Sequence, residues 1–314
     1  GHNISSYFNG LDMRAHLPDR NYFIGKTLPN RPDMTIIEWE DCGNDAHLFR
    51  AHSTGLRRDL ACKVIPRSNL LHDSDGAELW RAEVHKADAL RSPTVVKFED
   101  IQEWWDQVAG IDCIVLVSEF VEGPCLRKFV SEQLDSITVP FIVHWLETMV
   151  NLFNEMKIRG VSHGDLHAGN ILVEDRSSYD LVGPRYVFRV TDFGVAEATS
   201  DYRFRDDYLQ LAGVLAELLR LVNHSVCSPK EKFIYYILRD HFLARHLVET
   251  DTTRDPLARQ APELLGRLRE LDDEFGRVTV QDSTRLLTPF DFLSCEQIGD
   301  APALLHALYS DRFL

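Results

Sequence analysis

Around Gly123 the hydrophobic pattern of this 314-residue chain changes period, and that switch limits the folds open to it. Before it, from Met34 to Val121, apolar residues come in short runs: MTIIEWE, AHLFRAH, LACKVI, TVVKFEDI and CIVLVSEFV. Strand side chains alternate between two faces, so such runs predict the strands of a sheet. One stretch interrupts them: GAELWRAEVHKADAL, 76–90, keeps Leu79, Ala82, Lys86 and Ala89 at helical spacing. After Gly123 the helical period takes over. FIVHWLETMVNLFNEM sets Ile142, Trp145, Met149, Phe153 and Met156 on one face, and the helix is expected to stop near Gly160. DYLQLAGVLAELLRLV, 207–222, is apolar nearly all round, as a central buried helix is. KEKFIYYILRDHFLARHLVE and DPLARQAPELLGRLRELDDEF predict two more helices. The expected architecture is α+β and bilobal. A small β-rich N-lobe spans 34–121 and a larger α-helical C-lobe spans 122–275, after an irregular lead-in over 1–33. A ligand cleft is expected between the lobes.

Composition excludes several classes of function. The net charge of −15 disfavours nucleic acid, whose phosphate backbone demands a cationic footprint. The six cysteines are scattered, with no CxxC pair, as expected of reduced thiols in the cytoplasm. No apolar run approaches the roughly 18 residues needed to span a bilayer, so no membrane is expected as a partner. No signal peptide is visible, although the chain begins Gly-His rather than Met.

Six polar residues stand out from these apolar surroundings. LACKVI carries Lys63 in an otherwise apolar strand. Its stem either snorkels to solvent at a sheet edge, or its ammonium is buried and paired. Glu83, on the following helix, is the partner that favours pairing, with Glu78 as competitor; such a pair can hold phosphate oxygens. Upstream, Gly43 in EDCGNDAHLFRA either turns a plain hairpin or lets backbone amides close on a phosphate. VSHGDLHAGNIL, 161–172, then brings Asp165, His167 and Asn170 onto a loop before a buried strand, and Asp192 follows the strand-like YVFRV. Asn170 and Asp192 offer hard oxygens suited to Mg²⁺, which keeps phosphates and water as its other ligands. Asp165 is then free to accept a hydroxyl proton while the attacking oxygen is positioned. That division of labour suits phosphoryl transfer.

In this order and spacing the segments resemble the protein-kinase-like superfamily over about residues 34–225. LACKVI is similar to the lysine strand that holds ATP, LRSPTVVKFED to the segment after helix C, and LVSEFVEGPCL to the hinge. HGDLHAGN is similar to the catalytic loop, and the DFG motif is intact. The resemblance implies a bilobal protein-kinase-like fold that binds ATP and Mg²⁺. It gives Lys63 to the α and β phosphates with Glu83 as its partner, Asp165 as catalytic base, and Asn170 and Asp192 as metal ligands. It further implies that the backbones of Glu119 and Val121 bond the adenine, that Ala61 and Leu172 pack on its faces, and that Ser118 is the gatekeeper.

The sequence also departs from that family. Asp41 and Ala46 stand where loop glycines are usual. HGDLH replaces HRDLK, which removes the arginine that receives a phosphorylated activation loop. His167, in the lysine position, either meets the transferring phosphate when protonated or hydrogen-bonds Asp165. HGDLHxxN is similar to aminoglycoside phosphotransferases and other atypical kinases. Asp207 is similar to the aspartate that begins helix F, and no APE motif fits before it, so a stunted activation segment is expected. Residues 276–314 are expected to be either an extension packed on the C-lobe or a connector to a fused downstream domain of a larger, bacterial protein.

Three functions fit. The favoured one is an atypical Ser/Thr protein kinase with a protein substrate. The others are a kinase of a small-molecule alcohol, in the aminoglycoside-phosphotransferase manner, and a pseudokinase that binds nucleotide without turnover. Nothing in the sequence indicates an oligomeric state.

Overall fold

The computed structural model describes residues 18–40, 47–67, 80–178, 182–194, 201–236 and 238–239. Two compact units divide the chain, one formed by residues up to Asp88 together with Val96–Glu122, the other by Ala89–Val95 and the residues from Gly123 onward.

Among the described residues the first unit begins with a short helix α1 (Arg20–Phe23) and a two-residue strand β1 (Thr27–Leu28), so part of the expected lead-in belongs to the sheet. Strands β2 (Arg31–Glu40), β3 (His47–Ser53) and β4 (Arg58–Pro66) follow. After helix α2 (Trp80–Ala89) come β5 (Phe98–Asp106) and β6 (Ile111–Glu119). They form a six-stranded sheet in the order β1-β2-β3-β4-β6-β5, its neighbours antiparallel. The sheet curls, because Arg31 on β2 reaches Asp100 on β5 at 2.9 Å although β3, β4 and β6 lie between them in the order. Alternation sorts β4: Leu60, Cys62 and Val64 enter the main core, while Ala61, Lys63 and Ile65 face the other way. β6 is apolar throughout because it feeds two cores. Cys113, Val115 and Val117 join the first, and Ile114 and Leu116 pack with Trp80 and Val84 of α2. Burial pushes the Cys62 thiol up to about 12, so it acts as a small apolar group. The run TVVKFEDI is only half strand. Thr94 and Val95 belong to the second unit, where Val95 bridges to Val190, and β5 begins at Phe98.

The second unit contains α3 (Leu126–Glu132), α4 (Val139–Arg159), the paired strands β7 (Ile171–Asp175) and β8 (Tyr186–Val190), α5 (Asp201–Arg220) and α6 (Pro229–Tyr236). Helix α4 starts where Thr138 accepts a hydrogen bond from the Phe141 N–H, and it stops at Gly160, whose φ of 68° is the left-handed turn glycine tolerates. The five residues expected on its inner face are all buried. Each large apolar side chain so covered contributes about 1.5–3 kcal/mol before the entropic cost of ordering it. Between Leu211 and Leu219 all but Gly213 and Glu217 of α5 are buried, as expected of a central helix. Helix α5 already begins at Asp201, so Asp207 lies inside it rather than at its start. The helix expected over 230–249 is described from Pro229 to Tyr236, and the one over 255–275, like the tail over 276–314, lies outside the described residues.

Candidate active site

In the first unit, strand alternation places Lys63 on the sheet face that α2 covers. Glu83 of α2 is 8% exposed, and its Oε1 stands 3.8 Å from Lys63 Nζ. The paired alternative for Lys63 therefore holds, with Glu83 as the partner; Glu78 lies outside the described residues. Ala61 shares the Lys63 face of β4 and is half-buried, opposite Ser118 in register. At the end of β6 the Glu119 N–H donates to the Lys97 carbonyl at 3.0 Å, and its carboxylate accepts from the Lys97 N–H at 3.0 Å. Any main-chain hydrogen bond Glu119 makes to a ligand therefore comes from its carbonyl. Val121 is buried. Between these two residues, Phe120 carries the Arg50 guanidinium 4.4 Å above its ring. Arg50 in turn bonds Asp59 at 2.6 Å. The carboxyl of Asp59 is held below its ordinary range chiefly by the hydrogen bond to His52, with Arg50 adding to it against desolvation. Gly43 lies outside the described residues, as do Asp41 and Ala46.

In the second unit a single loop gathers Asp165, His167 and Asn170. Its base is His163, fully buried, whose N–H donates to Asp207 Oδ2 at 2.8 Å. Gly164, at φ 86°, donates to Asp207 Oδ1 at 2.8 Å, and Leu166 donates to Gln210 Oε1 at 2.9 Å, so α5 fixes the loop backbone. His163 Nδ1 accepts from the Asp165 N–H at 3.1 Å, which leaves the ring proton on Nε2 to donate to the Thr191 carbonyl at 2.9 Å. One imidazole thus ties the Asp165 backbone to the strand end that carries Asp192. Thr191 donates in turn to the Asn170 carbonyl at 3.0 Å, and the Gly194 N–H to the His163 carbonyl at 2.6 Å. Asp192 itself is held at φ 55°, in a left-handed conformation rare for any residue but glycine.

Asn170 Nδ2 donates to the Asp165 carbonyl at 2.8 Å and lies 3.4 Å from its Oδ2. The amide nitrogen is so engaged that Oδ1 is the atom left for a cation. The Asp165 carboxylate is 62% exposed and stands 3.7 Å from His167 Nε2. Leu172 follows on β7, half-buried, bridged to Cys125. The structure thus brings Lys63 to Glu83 in one unit, and Asp165, His167 and Asn170 to the strand end bearing Asp192 in the other.

Two residues of this site escaped the sequence reading. His163 had a local signal, since it precedes Asp165 by two residues in an apolar frame. Arg127 of α3, whose Nη2 lies 3.2 Å from His167 Nδ1, had none, because an arginine in a short helix reads as a solvated side chain.

A curled β sheet with a lysine–glutamate pair, and a helical unit with an Asp–Asn loop before a hairpin, define a protein kinase domain. The family model described as protein kinase domain matches residues 42–210, just over half of the chain, and the chain belongs to that family. Among curated proteins, serine/threonine-protein kinase dkf-1 of Caenorhabditis elegans is 26% identical over 148 residues, covering 47% of this chain and 19% of that protein. The Caenorhabditis briggsae protein of the same name is 26% identical over 148 residues, covering 47% of this chain and 18% of that one. The chain thus matches about a fifth of the length of these relatives. A solved structure of the Mycobacterium tuberculosis PknI kinase domain, carrying a cysteine-to-alanine substitution, shares the fold with a TM-score of 0.50 at 17% identity. That likeness covers 90% of this chain and 98% of that one.

Proposed function

We propose that this domain transfers the γ-phosphoryl group of ATP, with Mg²⁺, to serine or threonine hydroxyls of a protein. The observation that carries the reading is the loop in which Asn170 holds the Asp165 carbonyl at 2.8 Å while the Asp165 carboxylate remains exposed. A carboxylate so oriented and open to solvent suits a base that accepts the proton of an attacking hydroxyl. The Lys63–Glu83 pair supports the reading, because an ammonium oriented by a carboxylate is the kind of group that takes phosphate oxygens. The two relatives named serine/threonine-protein kinases support the acceptor class.

The residues present fit a magnesium ion that carries most of its ligands with it. The Asn170 amide nitrogen is taken by the Asp165 carbonyl at 2.8 Å, which turns a hard oxygen of the kind Mg²⁺ accepts the other way. Asn170 Oδ1 and the Asp192 carboxylate are the groups we assign to it. When bound, the ion neutralises charge that develops on the phosphate oxygens. In this reading Lys63 orients the phosphates, Asp165 takes the proton, and Ala61, Glu119, Val121 and Leu172 receive the adenine. Among the described residues no helix is long and apolar enough to cross a membrane. Cys62, Cys113, Cys125 and Cys227 are free thiols, which suits the cytoplasmic site of action we propose.

Incubation with γ-labelled ATP and Mg²⁺, followed by phosphoamino-acid analysis, tests this. Phosphoserine or phosphothreonine on the chain or on dephosphorylated casein is the expected product. Label found only on small alcohols, or ATP bound without turnover, overturns the proposal.

A further inference from the structure

The catalytic loop carries a histidine where its family usually has a lysine, and the fold supplies that histidine with an arginine. His167 caps the 3₁₀ turn Ala168–Asn170, and its Nδ1 accepts from the Gly169 N–H at 3.0 Å. Arg127 Nη2 lies 3.2 Å from the same Nδ1. A guanidinium only donates, so both neighbours call for a lone pair on Nδ1, against the single amide donor of Asn170 that faces Nε2, and the two outweigh the one in placing the ring N–H on Nε2. Nε2 has two neighbours, Asn170 Nδ2 at 3.0 Å and Asp165 Oδ2 at 3.7 Å. Asn170 Nδ2 is itself a donor, already turned to the Asp165 carbonyl at 2.8 Å. The carboxylate of Asp165, at 3.7 Å and so beyond hydrogen-bond distance in this structure, is the acceptor on this side of the ring, and catalytic contacts of this kind tighten when substrate binds. Gly169 makes the arrangement possible. A Cβ there would lie 2.7 Å from His167 Cε1, 2.9 Å from Nδ1 and 3.2 Å from Arg127 Nη2. Among the described residues Arg127 has no carboxylate partner, although the chain carries 49 acidic residues.

On the kinase reading, we propose that Arg127 is a positioning residue, which acts through His167 to hold the Asp165 carboxylate in line for the acceptor hydroxyl. Residues that orient a reacting group in this way are worth about 10- to 100-fold.

The test is a double-mutant cycle on the intact chain, with labelled MgATP and dephosphorylated casein. Arg127→Ala is expected to lower kcat about tenfold or more and to leave the KM values for ATP and casein within about twofold. In a His167→Ala background the same substitution is expected to change kcat less than about twofold, because its route is already cut. Gly169→Ala is expected to reproduce the kcat loss. Equal fold-losses in both backgrounds overturn the proposal, and so does a raised KM for casein with kcat unchanged, the mark of an arginine that binds the acceptor itself. Melting temperatures of all variants within a few degrees of wild type separate these effects from misfolding. A second measurement does not depend on turnover: nitrogen NMR of the His167 ring is expected to show the N–H on Nε2. A ring N–H on Nδ1 overturns the positioning role whatever the activity, whereas a wild-type chain that transfers nothing, with His167 in the expected form, overturns the kinase reading instead.

Discussion

The Lys63 ammonium on β4 stands 3.8 Å from the Glu83 carboxylate on α2, and the two side chains are 27% and 10% exposed. A carboxylate at that distance, itself nearly dry, orients the ammonium. Lys63→Met is therefore expected to fold, with a melting temperature within a few degrees of wild type, and to lose about 100-fold or more in phosphoryl transfer. Glu83→Gln is expected to lose less, because the ammonium remains. Full transfer by Lys63→Met contradicts the phosphate-holding role.

Asp207 is buried and accepts the N–H groups of His163 and Gly164, each at 2.8 Å. An amide in its place turns an N–H₂ toward at least one of those donors. Asp207→Asn is expected to cost about 1–3 kcal/mol of stability and to lower transfer together with it. Urea unfolding and turnover measured on one preparation check both, and an unchanged pair of values contradicts the anchoring role.

Three glycines separate conformational strain from collision. Gly123 has φ 151°, and a Cβ there would come within 1.9 Å of the Val173 carbonyl oxygen, where the chain runs beside β7. Gly25 and Gly110 also have positive φ, but open space surrounds them. Gly25→Ala and Gly110→Ala are expected to cost about 1 kcal/mol each, and Gly123→Ala several times more. Equal losses in denaturant unfolding at all three positions contradict the close approach.

Acid should loosen the contacts Asp33 makes with Arg31 and Ser53. The Asp33 carboxyl is lowered to about 2, first by its hydrogen bond to Arg31 and then by that from Ser53. A carboxyl whose folded value is depressed adds stability that is complete above the unfolded value and lost as pH falls through the folded one. The stability gap between wild type and Asp33→Asn is thus expected to be full at pH 5–7 and to close between about pH 4 and pH 2. Urea unfolding at a series of pH values measures it, and a gap that stays constant down to pH 2 contradicts the linkage.

Much of this is legible in the sequence. The inner face of α4 and the strands around Lys63 follow from period alone, because burial imposes 3.6 on a helix and two on a strand. Asp165, Asn170 and Asp192 stood out because polar residues between apolar flanks need a reason to be there. Thr94 and Val95 misled, since a bridge to Val190 of the second unit reads locally like the start of a strand. Asp207 is expected at a helix start from the resemblance alone, and its bonds to His163 and Gly164 leave no local pattern because they join residues more than 40 positions apart. Arg127 was invisible for the same reason: its meeting with His167 spans 40 positions and leaves no local pattern.

The most direct test of the account compares incorporation of labelled γ-phosphate from MgATP by wild type, Asp165→Asn and Asp192→Asn. Wild type is expected to label serine or threonine, and each variant to fall by about 1,000-fold while still folding. Wild-type rates in Asp165→Asn would contradict the assignment of that carboxylate as the base and, with it, the function proposed for the domain.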